Sequence, residues 1–271
     1  MFYLKTLTIA GSDSCGGAGI QADIKTMSAL GCYAASVITS VTAQNTKGVY
    51  AIQQVAPDVV AAQLHAVLDD LHPCAIKVGM LNDAATIQVV ADALSPYTCD
   101  CLIVDPVMVS TSGCRLIQED AVEVFRRRLL PMATILTPNI PEAAVLSNLN
   151  IQSDDALDEA AKIIMKQFAG ALLIKGGHAT GSVKADRLYM QDGSCTIFKS
   201  KTIATKNTHG TGCTLSSAIA AFAARGEHLA EAVRLAKAYI TEAIASGSDV
   251  DTGEGFGPVN HFFNPEKLIK I

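Results

Sequence analysis

Short unbroken apolar runs alternate along the chain with longer stretches whose apolar residues recur at helical spacing. The β-branched runs predict strands over 4–10, 36–44, 75–78, 101–104, 134–136 and 171–175. Helical periodicity predicts helices over 19–30, 57–71, 83–95, 118–130, 141–146, 154–168, 211–224 and 229–246. A strand covered on both faces loses its polar alternation, and CLIV at 101–104 and ALLI at 171–174 read this way. Strand–helix alternation of this kind builds βαβ units, so the expected architecture is an α/β fold of three layers, α/β/α, with a mostly parallel central sheet. Two places depart from the alternation: 48–55 reads as an additional strand, and 186–203 as a hairpin turning at Asp192-Gly193. No repeat, low-complexity stretch or long linker interrupts the pattern, and one domain over 1–271 is expected.

In such sheets ligands bind beyond the carboxyl ends of the strands, so the loops that follow them hold the candidate chemistry. These loops read GSDSCGGAG, TAQN, GM, DPVM, TPNIPEA and KGGH. The first contains Gly17-Ala18-Gly19-Ile20-Gln21-Ala22, a match to the dinucleotide fingerprint G-x-G-x-x-A. A nicotinamide site also needs an acidic residue about 20 positions on, and none occurs between Asp23 and Asp58. The glycines fit close approach of the backbone to a small ring instead. A Walker A motif is absent, so any nucleotide phosphates need another cradle.

Composition narrows the class. The net charge of −5 and pI near 5.6 leave no basic stripe for a nucleic acid, and Arg126-Arg127-Arg128 reads as a solvated helix face. No apolar run reaches the roughly 18 residues of a membrane span, and the N-terminal stretch lacks signal-peptide form, so a cytoplasmic protein is expected. The eight cysteines form no C-x-x-C, which argues against zinc and for buried free thiols. His65 and His72 have no carboxylate at ligand spacing and read as structural.

The strongest site signal is Thr208-His209-Gly210-Thr211-Gly212-Cys213, immediately before an apolar helix. A helix N-terminus carries unpaired N–H groups and positive potential, and two glycines let an oxyanion approach them. Gly210, Thr211 and Gly212 are therefore the candidate anion hole, and Cys213 stands where the same field is expected to lower a thiol pKa. Asp105 and Glu142 follow strand ends on the same edge and suit Mg²⁺, directly or through water. Lys175, after ALLI, is placed to neutralise a transferring phosphate.

These segments together carry a resemblance. TIAGSDSCGGAGIQADIKT, VTAQNT, KVGML, TPNIPEA, IKGGH, NTHGTGCTLSSAIAA and GFGPVNHF are similar to the hydroxymethylpyrimidine/phosphomethylpyrimidine kinase family of thiamin biosynthesis, within the ribokinase-like superfamily. The resemblance covers essentially the whole chain. It implies ATP- and Mg²⁺-dependent phosphorylation of 4-amino-5-hydroxymethyl-2-methylpyrimidine, then of its monophosphate at the same site. It also implies a homodimer. By position, Gly11, Ala18, Asp23, Gln44, Met80 and Val107 would line the pyrimidine pocket, and the Gln44 amide can donate and accept as an aminopyrimidine edge requires. Lys175 and Thr208 would meet the ATP phosphates. Ribokinase-like sugar kinases carry G-A-G-D, whose aspartate is the base, where this chain has G-T-G-C. Whether Cys213 takes a proton or positions the hydroxyl stays open. A pyridoxal kinase of the same branch is the nearest alternative, and the segment 113–119 and the first loop are candidates for motion.

Overall fold

The computed structural model describes residues 1–108, 117–177 and 182–271. Nine strands form one sheet in the order β3-β2-β1-β4-β5-β6-β7-β8-β9. They are β1 Lys5–Asp13, β2 Tyr33–Asn45, β3 Gly48–Gln54, β4 Ala75–Val78, β5 Cys101–Val104, β6 Ile135–Leu136, β7 Ala171–Ile174, β8 Val183–Tyr189 and β9 Cys195–Lys201. The middle of the sheet, β2-β1-β4-β5-β6-β7, is parallel, while β3, β8 and β9 are antiparallel additions at its edges. The expected hairpin is β8–β9, turning through Gly193 at φ +84°.

Helices α1 Gly19–Ala29, α7 Thr211–Ala224 and α8 Leu229–Ser246 cover one face. The other face carries α2 Pro57–Leu71, α3 Ala84–Leu94, α4 Glu119–Val124, α5 Ile140–Ser147 and α6 Asp154–Met165. Side chains on a strand alternate between faces, so Ile76, Val78, Leu102 and Val104 enter one core, and Ala75, Cys101 and Ile103 the other. The three-layer α/β sandwich is as the pattern predicts.

Two elements differ from the expected spans in ways that matter. Strand β1 does not stop at Ala10. It shifts register between Ala10 and Ser12 and continues to Asp13, carrying that carboxylate to the sheet edge. The helix expected over 118–130 is α only to Val124, then a π turn (Phe125–Leu129) and a 3₁₀ turn (Leu130–Met132). Pro131 has no N–H to continue the ladder, and Arg126 donates to the carbonyls of Val145 (2.6 Å) and Leu146 (3.1 Å), tying this bend to α5.

Candidate active site

The carboxyl edge of the parallel strands faces the N-termini of α1 and α7. The two-residue period places Lys77, Asp105, Thr137 and Lys175, each within or just past its strand, on the face that α7 covers. Helix α7 is buried continuously from Thr214 to Phe222, which fixes its axis. Its N-cap, Gly210, has φ +81°, and a Cβ there would run into the carbonyl of Gly17, so only glycine lets the two helix N-termini close on each other. Thr211 N–H bonds the carbonyl of Thr208 at 3.3 Å. The N–H groups of Gly212 and Cys213 meet no acceptor among the described residues and are the free donors of the candidate anion hole.

Behind these donors lie two lysine–aspartate pairs of the same design. Lys175 Nζ donates to Asp105 Oδ1 at 2.7 Å, and Ser216 Oγ donates to Asp105 Oδ2 at 3.1 Å. Lys77 Nζ donates to Asp23 Oδ2 at 2.8 Å, and Ser217 Oγ donates to Asp23 Oδ1 at 2.6 Å. Consecutive serines of α7 thus hold one carboxylate each. Thr137 adds a 3.1 Å bond to Asp105, and Thr8 a 2.5 Å bond to Asp23. Burial opposes the charge of Asp105, and the ammonium groups of Lys175 and Lys77 overcome it, holding this carboxyl below the usual range. Burial likewise opposes the charge of Lys77, and Asp23, with Cys213 and Asp105, more than restores it.

Asp23 is expected, by position, to line the pyrimidine pocket. It is wholly buried with both oxygens engaged, and it acts as the counter-ion of Lys77. Lys77 was not singled out from sequence, although a lysine inside the otherwise apolar run AIKV is a legible signal.

Cys213 brings a correction. It stands in the first turn of α7, where the helix end carries positive potential. Even so, burial pushes the thiol up to about 11, with Lys77 pulling it down and Asp23 and Asp105 pushing it further up. The helix field was expected to lower this pKa, but burial and the two carboxylates outweigh it. The thiol is protonated at neutral pH.

Glu142 is the third residue of a capping box at the start of α5. Its Oε2 accepts from Asn139 N–H at 2.8 Å, and Asn139 Oδ1 accepts from Glu142 N–H at 2.8 Å. Its Oε1 accepts from Met108 N–H at 3.3 Å. Burial raises its carboxyl to about 7, Lys175 drawing it down and Asp105 pushing it up. Asp105 and Glu142 are 1% and 4% exposed, so the hard oxygen donors are present around Lys175, and a metal ion there would meet them most readily through water.

The first loop is organised by Asp13, another residue missed from sequence. Its Oδ1 accepts from Cys15 N–H (2.8 Å), and its Oδ2 from Gly17 N–H (3.1 Å) and Ala18 N–H (2.8 Å). His209 Nε2 lies 2.8 Å from the same Oδ2, and the Gln44 amide lies 3.2 Å from that nitrogen. Asp13, Cys15 and His209 offer atoms within 4.8 Å of one another, but the carboxylate is occupied in fastening the loop. Gly11 sits at the register shift of β1, where a Cβ would strike the methyl of Met80 and come 2.7 Å from Ser40 Oγ. Gly11, Ala18, Gln44, Met80 and Val107 belong to the loops and strand ends along this edge, with Ala18, Gln44 and Val107 half-buried. His178 and residues 113–116 of the segment expected to move lie outside the described residues.

Residues 13–260 match the family model described as phosphomethylpyrimidine kinase. The chain belongs to the phosphomethylpyrimidine kinase family. Among its family relatives, the hydroxymethylpyrimidine/phosphomethylpyrimidine kinase of Rhizobium meliloti (strain 1021) is 49% identical over 94% of this chain and 96% of the relative. The crystal structure of phosphomethylpyrimidine kinase from Clostridium difficile 630 superposes with TM-score 0.79 at 43% identity, covering 89% of this chain and 99% of that one. An ADP complex of Bacillus subtilis pyridoxal kinase superposes with TM-score 0.88 at 34% identity, covering 96% and 98%. Proteins named for both substrate classes weighed from the sequence thus occur among the neighbours of this fold.

Proposed function

We propose that the protein transfers the γ-phosphoryl group of ATP to the hydroxymethyl group of 4-amino-5-hydroxymethyl-2-methylpyrimidine, and a second phosphoryl group to the resulting monophosphate. The observation that carries this reading is the convergence of the free Gly212 and Cys213 amides with Lys175 at the edge where Gln44 stands. Amides fixed by a buried helix need no reorganisation when charge develops on the transferring group. Lys175 adds a full positive charge at the same place, and Thr208 lies one turn before the amides to meet the remaining phosphates.

The hydroxyl oxygen forms the new bond to phosphorus as the bond to the β–γ bridging oxygen breaks, and ADP leaves. The transition state is loose, so little proton removal is needed before attack. A protonated Cys213 thiol suits this: it holds the hydroxyl in line and is no ready base. The pyrimidine ring lies between Gly11, Ala18, Gln44, Met80 and Val107. Asp105 and Glu142 are the residues that would hold Mg²⁺ through water, and the cation would supply charge neutralisation to the transferring phosphate.

ADP release measured with the pyrimidine, its monophosphate and pyridoxal tests the reading. Turnover of both pyrimidines in preference to pyridoxal is expected, and turnover of pyridoxal alone overturns it. Chelation by EDTA should abolish turnover, and added Mg²⁺ should restore it. We further read the chain as one domain acting in the cytoplasm, since no helix among the described residues is long and apolar enough to cross a membrane. A homodimer is the assembly that the family resemblance implies. Light scattering that gives a monomer mass would remove that part.

A further inference from the structure

The Gln44 amide is clamped at both ends. One end lies 3.2 Å from His209 Nε2, the other 3.2 Å from Thr42 Oγ1. The oxygen and nitrogen of an amide have nearly the same shape, so which end is which is decided by the hydrogen bonds around them. In the structure the nitrogen faces His209.

His209 Nε2 also lies 2.8 Å from Asp13 Oδ2, and that contact decides the proton. Asp13 is an acceptor for three backbone N–H groups and keeps its charge. Burial works against that charge, and the His209 bond and those amides overcome it, holding the carboxyl below its usual value. A bare imidazole nitrogen cannot sit 2.8 Å from a carboxylate oxygen with its lone pair toward it, so Nε2 carries a hydrogen, in the neutral ring or the cation alike. Two N–H donors would then oppose each other between His209 and Gln44. Turning the amide by 180° removes the conflict. The amide Oε1 then shares the single Nε2 hydrogen of His209 with Asp13 Oδ2, as the longer arm of a three-centre bond, the amide nitrogen donates to Thr42 Oγ1, and the Thr42 hydroxyl donates to the carbonyl of Ser12 at 3.1 Å. Every polar atom of the clamp is then satisfied, and the amide keeps one lone pair and one N–H for a ligand.

We infer that Asp13, His209 and Thr42 form a positioning relay that fixes the Gln44 amide with its oxygen toward His209, and that this orientation selects the aminopyrimidine against pyridoxal. This rests on the substrate reading proposed above. Beside its hydroxymethyl carbon, the pyrimidine presents an amino donor and then a ring-nitrogen acceptor, which match one lone pair and one N–H in that order. Pyridoxal presents an aldehyde oxygen and then a phenolic oxygen. Its aldehyde acceptor meets the fixed amide oxygen, a buried contact between two acceptors. A site built for a hydrogen bond rejects an analogue that leaves its groups unpaired. A freely turning amide has no such preference, because it can present either end. His209 and Asp13 thus act through Gln44, and neither needs to touch the ring.

The test compares wild type with His209→Phe, His209→Gln and Thr42→Val, all checked for folding by thermal melting. With both substrates, kcat/KM is measured by ADP release. His209→Phe should lower kcat/KM for the pyrimidine about tenfold, mainly through KM, while pyridoxal holds or gains, narrowing the ratio. His209→Gln, whose amide N–H occupies the place of Nε2, should recover much of the ratio. Thr42→Val, which releases the other end, should narrow it in the same direction. An unchanged ratio in both His209→Phe and Thr42→Val overturns the inference. In wild type, ¹⁵N NMR of the imidazole should show Nε2 protonated, and a bare acceptor Nε2 overturns the relay directly. If wild type takes no pyrimidine at all, the substrate reading falls, and the NMR result still decides the amide orientation.

Discussion

At the scale of the residue, the site is governed by burial more than by proximity to helix ends. Cys213 stands in the first turn of α7, yet burial raises its thiol to about 11, with the carboxylates of Asp23 and Asp105 adding to it. In the proposed reaction its role is then to place the hydroxyl. Cys213→Ala should lower kcat on the order of 10²-fold while the pyrimidine KM moves only a few-fold, and Cys213→Ser should retain more activity. Steady-state kinetics check this, and an unchanged kcat would reduce Cys213 to packing. Glu142 shows the same control by burial. Its folded pKa, about 7, lies above the ordinary 4.5, so between those values the native protein holds a proton that the unfolded chain releases. Stability from this group is present at low pH and is lost as pH rises through that window. Glu142→Gln keeps an acceptor for the cap and has no proton to lose. The Tm of wild type minus that of the variant is therefore expected to fall between pH 5 and pH 8, and a constant difference would contradict it.

At the scale of the element, the decisive feature is the meeting of α1 and α7. Neither N-terminus is capped by its own side chain: Ala18 and Gly210 make no cap bond. The unpaired donors of α7 are left for a ligand, which an ordinary serine or aspartate cap would have consumed. Gly210→Ala puts a Cβ against the Gly17 carbonyl in a left-handed backbone conformation. A loss of at least about 1–3 kcal/mol is expected from the backbone alone. Thermal melting measures it, and because the two helix ends separate, activity should fall by more than the melt suggests. An Ala variant with wild-type stability and turnover would show that the close approach is dispensable. Element boundaries were largely legible. The spans 75–78, 101–104, 57–71, 211–224 and 229–246 agree with β4, β5, α2, α7 and α8. The breakdown of the 118–130 helix was not legible, because it depends on Arg126 reaching the carbonyls at the end of α5.

At the scale of the molecule, the two lysine–aspartate pairs collect charges from β4, α1 and the edge loops, with serine hydroxyls from α7, into one buried array. Removing one member of such a pair leaves an uncompensated charge, which costs far more than removing both. Lys77→Met is accordingly expected to destabilise by about 3–5 kcal/mol, with Lys77→Met/Asp23→Asn recovering a large part of the loss. Chemical denaturation of both variants decides it. Equal losses would mean that the pair is not coupled.

The sequence by itself determined the layer order, the strands and the loops where chemistry would lie, because period and turn residues act over a few neighbouring positions. It also marked Asp105, Glu142, Lys175, Gln44 and Gly210 to Cys213 as residues of one edge. Only the tertiary structure decided the partners. Asp23 meets Lys77 54 positions away and Ser217 194 away, and His209 meets Asp13 across 196. Protonation and hydrogen-bond direction are sums over every charge and donor within a few ångströms. Distances of that size between remote positions exist only once the chain has folded.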